Sequence, residues 1–129
     1  MTSLTHLFEP LTIGRMQVRN RIMMPGMSAG MMLDEHAEPT DQMIAYYVER
    51  AKALPGLMAI GASSVVPPKG RHRQPLAIFR DRCVPSLKRI VDAVHQYDTK
   101  FGIQLWEGGT QAGGAEQLSP SGVPACARW

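Results

Sequence analysis

Leu57-Met-Ala-Ile-Gly-Ala-Ser-Ser-Val-Val66 carries no charge and sits between Pro55-Gly56 and Pro67-Pro68. A strand with one wet face alternates apolar and polar residues. An unbroken run of apolar and small residues instead predicts a strand buried on both faces, as in a parallel sheet. The uncharged stretch around it, Leu54–Pro68, is too short or too broken by Pro and Gly to span a bilayer, and so is Ile22–Leu33.

Working outward, the segment before this run has a different period. Ile44, Tyr47, Val48, Ala51 and Leu54 recur every three or four residues. This predicts a helix with one apolar stripe, started by Thr40 or Asp41 as N-cap and ended by Pro55-Gly56. A loop is expected after Pro67-Pro68, through Asp81. Val84, Leu87, Ile90, Val91, Val94 and Tyr97 then mark a second amphipathic helix, with Pro85 tolerated in its first turn. Two further short strands flank the helices. Arg21–Met24 follows a turn-like region at Gly14 and stops at Pro25-Gly26, and Phe101–Trp106 follows Asp98-Thr-Lys. The order is β-α-β-α-β, and right-handed crossovers make the sheet parallel. Beyond Trp106 the chain is dense in glycine and turn residues (Gly108, Gly109, Gly113, Gly114, Ser119–Pro124), and no third helix is predicted.

Composition narrows the class. The chain has 129 residues, 44% hydrophobic and 19% charged, with a formal net charge of +3. That balance excludes a disordered chain. A complete (β/α)8 barrel needs ~250 residues. Three parallel strands with two helices would leave an open strand edge and an uncovered face, so the pattern reads as the opening of something larger. The start, Met1-Thr-Ser-Leu-Thr-His-Leu-Phe, lacks a basic segment leading into an apolar core, so no secretory signal is expected. Cys83 and Cys126 are then expected to be reduced thiols of a cytoplasmic protein.

Several chemistries find no support. No G-x-G-x-x-G follows a strand, and there is neither a P-loop nor a C-x-x-C. His6, His36, His72 and His95 are scattered, without metal-ligand spacing. Ser28, Ser63 and Ser64 lack the context of a nucleophile elbow. Lys69, Arg71 and Arg73 form a basic knot around His72 that would suit a phosphate, although a solvated loop or a subunit contact is the commoner outcome. Few aromatics accompany these charges, which argues against nucleic acid.

The strand C-termini remain, where α/β enzymes place their sites. The first carries Pro25-Gly26-Met27-Ser28, the second Gly61-Ala62-Ser63, and the third Gln104. Small residues would let a flat ligand approach the backbone. Strand alternation puts Gly102, Gln104 and Trp106 on one face, with Ile103 and Leu105 on the other. A primary amide donates and accepts at once, which suits a heterocycle edge with both N–H and C=O. A capping turn, a packed strand and a satisfied core glutamine would give the same pattern. On spacing alone the two readings are even.

A resemblance separates them. Leu7-Phe-Glu-Pro-Leu-Thr-Ile-Gly14 and Val18-Arg-Asn-Arg-Ile-Met-Met-Pro-Gly-Met27 resemble the N-terminal signature of the old yellow enzyme family of FMN-dependent oxidoreductases. Tyr46–Ala51, Gly61–Ser63, Ile78–Asp81, Val84-Pro85, Gly102–Trp106 with Gly108-Gly109, and Ser119–Ser121 continue it in order. The Gln-Leu-Trp-x-Gly-Gly form is similar to the branch that contains 2,4-dienoyl-CoA reductase and trimethylamine dehydrogenase. The resemblance implies that residues 1–129 are the N-terminal segment of an FMN-binding TIM (β/α)8 barrel, incomplete in this chain, with no second domain.

The same resemblance implies the site. Gly26, Met27 and Ser28 would lie along FMN at the end of the first strand, with Ala62 near the ring from the second. Gln104 would hydrogen-bond the flavin pyrimidine from the third. The Ser28 hydroxyl would donate to the flavin carbonyl beside N5. Hydride would pass from NAD(P)H through FMN to an activated alkene such as an enone or an enoyl or dienoyl thioester. The family's carbonyl clamp, proton donor and phosphate-binding residues come from later strands, so no catalytic acid is named, and any iron–sulfur cluster would likewise lie beyond this chain.

Two departures stand out. Glu107-Gly108-Gly109-Thr110 replaces the His-x-Gly-Arg of many relatives, and Gly30 stands where one subgroup has Tyr. An amine-oxidising or demethylating flavoenzyme is the alternative within the family. A non-catalytic half-barrel that assembles with a complementary chain is the alternative outside it. The implied partners are a small-molecule substrate, the remainder of the barrel and, in a homo-oligomer, a second copy, with neither nucleic acid nor membrane.

Overall fold

The computed structural model describes residues 4–27, 32–67, 75–107 and 109. The elements in order are α1 (Thr5–Phe8), β1 (Leu11–Ile13), β2 (Met16–Val18), β3 (Met23–Met27), α2 (Asp41–Ala51), β4 (Leu57–Ser64), β5 (Leu76–Ala77), α3 (Val84–Val94) and β6 (Lys100–Trp106). β4 is the hub of a parallel sheet and pairs with β3, β5 and β6. Its Ser63-Ser64 end pairs with both β5 and β6, so β5 takes the edge that β3 occupies lower down. The expected β-α-β-α-β order is present as β3-α2-β4-α3-β6.

The predicted helices form where their stripes place them, with one shift. Thr40 is the N-cap of α2, and its side chain accepts from the Met43 N–H. The buried line of α2 is Met43, Tyr47 and Ala51, one step toward Met43 from the expected stripe. In α3 the buried line is Ile90 and Val94. These residues pack against Met58, Ile60 and Leu76 on the outer face of the sheet. Burying each large aliphatic side chain contributes about 1.5–3 kcal/mol. This makes the helix–sheet interface the core.

Four local features depart from the expectation. The first strand does not stop at Pro25-Gly26 but runs through it to Met27. Met24 pairs with Met58 and Met27 with Ile60, so Pro25 and Gly26 together oppose Ala59 alone. A β-bulge of this kind accommodates a proline that cannot donate to the ladder. The turn at Gly14 belongs to the β1–β2 hairpin, where Gly14 takes a φ of +60°. The four-residue helix α1 precedes it, too short for a periodic signal. The loop expected through Asp81 contains β5, whose two residues are likewise too few to show a period.

Tyr47 lies at the centre of the core and is fully buried. Its ring sits edge-on to Tyr46 at 5.2 Å and to Phe101 at 5.4 Å between centroids. Burial, helped by Tyr46, pushes its phenol up to about 12, against the influence of the Gly61 backbone and Arg50. An unfolded tyrosine ionises near ~10. The stabilisation from keeping Tyr47 neutral is therefore complete below pH ~10 and is lost as the pH rises toward the folded value. In an alkaline titration followed by tyrosinate absorbance, Tyr47 is expected to ionise only together with loss of helical circular dichroism.

Candidate functional site

The C-terminal ends of β3, β4 and β6 meet on the face of the sheet opposite the helices. Two bulges shape this inner face. Besides the one at Pro25-Gly26, Ile60 pairs with Ile103 and Ser63 with Leu105, so Gly61 and Ala62 together oppose Gln104. Neither Gly61 nor Ala62 has a register partner on β3 or β5. The Gly61–Ala62 peptide bond is cis.

Gln104 lies across both bulges. A Cβ added at Gly26 would stand 2.3 Å from its Oε1, and one at Gly61 would stand 2.7 Å from both its Cβ and its Oε1. The small residues of Gly61-Ala62-Ser63 predict space here for a flat ligand against bare backbone. In the structure the glutamine side chain fills it, and the two glycines are the condition for its lying there. Gln104 remains exposed on the inner face, Ala62 is half-buried beside it, and Met27 is 48% exposed at the end of β3. Phe101 packs into the outer core, while Gly102 pairs with Ala59 in register. The expected alternation along β6 is therefore present, with Gln104 on the inner side.

The loops at this end are clasped to one another. Glu38, in the β3–α2 loop, accepts from Arg82 Nε at 2.9 Å and from the Ser86 hydroxyl at 3.2 Å. Arg80 donates to the His36 carbonyl at 2.7 Å, and the Ala77 N–H donates to the Ala37 carbonyl at 2.9 Å. Within the loop, the Glu38 and His36 N–H groups both donate to Asp34 Oδ1. The Glu38 N–H above all holds the Asp34 carboxyl below its ordinary value; burial opposes it, and His36 and Arg82 add to the lowering. Glu38 carries no local signature of the clasp, because its side-chain partners Arg82 and Ser86 lie 44 and 48 positions away. Glu107 accepts from the Gly109 N–H at 3.0 Å and so serves its own turn.

At the opposite end of the strands, Asn20 joins the chain segments that enter β3 and β4. Its amide donates to the Leu54 carbonyl at 2.8 Å, and its Oδ1 accepts from Ile22 N–H at 3.1 Å and Gly56 N–H at 2.7 Å. The Arg19-Asn20-Arg21 motif is thus structural. A groove of about 530 Å³ near this end, lined in part by Arg15, Arg19, Asp98 and Lys100, lies away from Gln104. Ser28, Gly30, the basic knot Lys69–Arg73, Gly108 and Cys126 lie outside the described residues. Among the described residues no cluster of His, Cys, Asp or Glu could hold a metal ion, and no helix is long and apolar enough to cross a membrane.

A parallel sheet flanked by crossover helices, with its polar group at the strand C-termini, defines this structure as the opening portion of a (β/α)8 barrel. The chain belongs to the NADH:flavin oxidoreductase / NADH oxidase family, whose model matches residues 6–127. It is 34% identical over 123 residues to a metal reductase of Desulforamulus reducens, covering 92% of this chain and 18% of that protein. It is 32% identical to an NADPH dehydrogenase of Listeria monocytogenes, covering 94% of this chain and 36% of that one. The old yellow enzyme of Trypanosoma cruzi superposes with a TM-score of 0.73 at 31% identity, over 84% of this chain and 28% of that structure. The chain therefore spans well under half the length of these relatives. The family expected from the Leu7–Gly14 and Val18–Met27 motifs is the family found.

Proposed function

We propose that this chain forms one wall of an FMN site, in a protein that passes hydride from NAD(P)H to an activated alkene such as an enone or an enoyl or dienoyl thioester. The observation that carries this reading is Gln104, held across Gly26 and Gly61 with its residue exposed on the inner face. Its carboxamide is both donor and acceptor, which fits the pyrimidine edge of a flavin. Gly26, Met27 and Ser28 would line the ring from β3, and Ala62 from β4. The chemistry that FMN supplies when bound is the relay of hydride between nicotinamide and alkene. The residues of this chain bind and orient, while proton donation and the phosphate grip belong to other strands.

The outer face of β6 supports a companion. Ile103 is 42% and Leu105 68% exposed, on a strand that pairs only with β4 among the described residues. Such an edge and face are what the remaining strands and helices of a barrel would cover. Self-association through the same face is the competing arrangement, and the mass in solution tells the two apart. A cytoplasmic location is consistent with the free thiol of Cys83 and belongs to this same reading.

The test is a titration of the chain with FMN, followed by flavin fluorescence and visible absorbance. The wild-type chain is expected to shift the flavin absorbance and change its fluorescence, and Gln104→Ala is expected to weaken binding by about tenfold, roughly the loss of one good hydrogen bond. Flavin absorbance and fluorescence that stay those of free FMN, even when the chain is joined to the remaining strands of a relative's barrel, overturn the reading. Equal affinity in Gln104→Ala removes the role given to this residue.

A further inference from the structure

The β4 bulge at Gly61-Ala62 is bounded by two different strands on one edge. Below it, Ile60 pairs with Met27 at the end of β3. Above it, Ser63 and Ser64 pair with Leu76 and Ala77, which are the whole of β5. The Ile78 N–H adds a bond to the Ser64 carbonyl at 3.1 Å. A strand of two residues has too few ladder bonds to hold its own place. Its support lies on its other edge, where the Ala77 N–H donates to the Ala37 carbonyl at 2.9 Å.

Ala37 is buried in a loop that is closed on itself. The Asp34 N–H donates to the Glu38 carbonyl at 3.0 Å, and the Glu38 N–H donates to Asp34 Oδ1 at 2.9 Å. The Thr40 hydroxyl donates to the Met32 carbonyl at 2.7 Å. With the loop tied in this way, whatever fixes the Glu38 side chain also fixes Ala37 beside it. That side chain is only 14% exposed, and its carboxylate accepts from Arg82 Nε and the Ser86 hydroxyl. A carboxylate so far out of water needs such partners to stay charged. The line of contacts from Glu38 runs through Ala37 and β5 to Ser63, one residue past the bulge. Ser63 also pairs with Leu105, the residue after Gln104, whose side chain crosses Gly61.

We infer that Glu38 is a positioning residue: gripped by Arg82 and Ser86, it holds Ala37 against β5, and β5 sets the upper end of the β4 bulge and with it the place of the Gln104 carboxamide. The consequence for flavin binding rests on the reading proposed above, but the effect on β5 does not.

The experiment follows amide exchange in the isotopically labelled 129-residue chain and in its Glu38→Ala and Arg82→Ala variants. In the wild-type chain the Ala77 and Ile78 amides should be protected. In Glu38→Ala their exchange should rise about tenfold, with Ile90 and Val94 little changed, and the Gln104 side-chain amide signals should shift. Arg82→Ala should move the same amides in the same direction. The double variant should go no further than Glu38→Ala alone, because both substitutions act at one contact. FMN affinity should fall several-fold in Glu38→Ala. An unprotected Ala77 amide in the wild-type chain overturns the proposal with no variant required. So do unchanged Ala77 and Gln104 signals in Glu38→Ala, core amides that all accelerate alike in both single variants, or a double variant whose effects simply add. If the Ala77 and Gln104 signals respond as described while the flavin signals stay those of free FMN, the positioning role stands and the flavin reading falls.

Discussion

A Gly61→Ala variant is expected to lose at least about a hundredfold in FMN affinity and to unfold at lower temperature than the parent chain. The new Cβ would stand 2.7 Å from the Cβ of Gln104. That atom is fixed to the β6 backbone, so no change of rotamer removes the clash, and either β6 moves away or the bulge straightens. Gly26→Ala is the informative contrast. Its tightest approach, 2.3 Å, is to Oε1 at the far end of the side chain, while Gln104 Cβ is 3.2 Å away. Rotation of Gln104 relieves most of that contact, so the fold should survive with the amide turned out of place.

The two variants can be separated by second substitutions. Gln104→Ala should restore the thermal stability of Gly26→Ala but not of Gly61→Ala, because alanine keeps the offending Cβ. Gln104→Gly should restore both. None of these pairs should recover flavin binding. Thermal unfolding and flavin fluorescence together read the outcome. Restoration of Gly61→Ala by Gln104→Ala would show that the contact is not through Cβ.

Gly56→Ala has the second large expected effect, on stability alone. The added Cβ would lie 2.2 Å from the Asn20 backbone carbonyl oxygen, a position with no flexible side chain to yield. Gly56 also donates to Asn20 Oδ1, and its carbonyl accepts from the Lys100 N–H that opens β6. The entries to all three main strands thus meet at this residue. Overpacking together with the loss of buried hydrogen bonds should destabilise the chain by roughly 3 kcal/mol or more, a large share of the stability of a small fold. Asn20→Ala removes the other half of the clamp and should fall in the same range. Urea denaturation followed by helical circular dichroism checks both, and midpoints within error of the parent would sink the account of the clamp.

Much of this architecture is legible along the chain, and for local reasons. The run Leu57–Val66 announces a doubly buried strand because burial on both faces removes the need to alternate. The stripes through Tyr47 and Ile90 announce helices because a core can cover only one side of each. Gln104 could be assigned to a face from alternation alone, since side chains on a strand have a period of two. Asn20 is the instructive opposite. It stands in a motif conspicuous enough to carry a family resemblance, yet its part is to tie loops 34 and 36 positions away. No window of sequence contains both ends of those bonds.

Sequence by itself determined the β-α-β-α-β order, the family, and the end of the sheet that carries polar groups. These follow from periodicity, turn residues and short motifs, all of which act within a few neighbouring positions. Tertiary structure alone decided that Pro25-Gly26 and Gly61-Ala62 are bulges, and that their glycines make room for Gln104. It alone showed that Glu38 reaches Arg82. A bulge exists only relative to a partner strand, and a steric gap only relative to the side chain that fills it. Both are properties of the packed sheet, set when segments distant in the chain come into register.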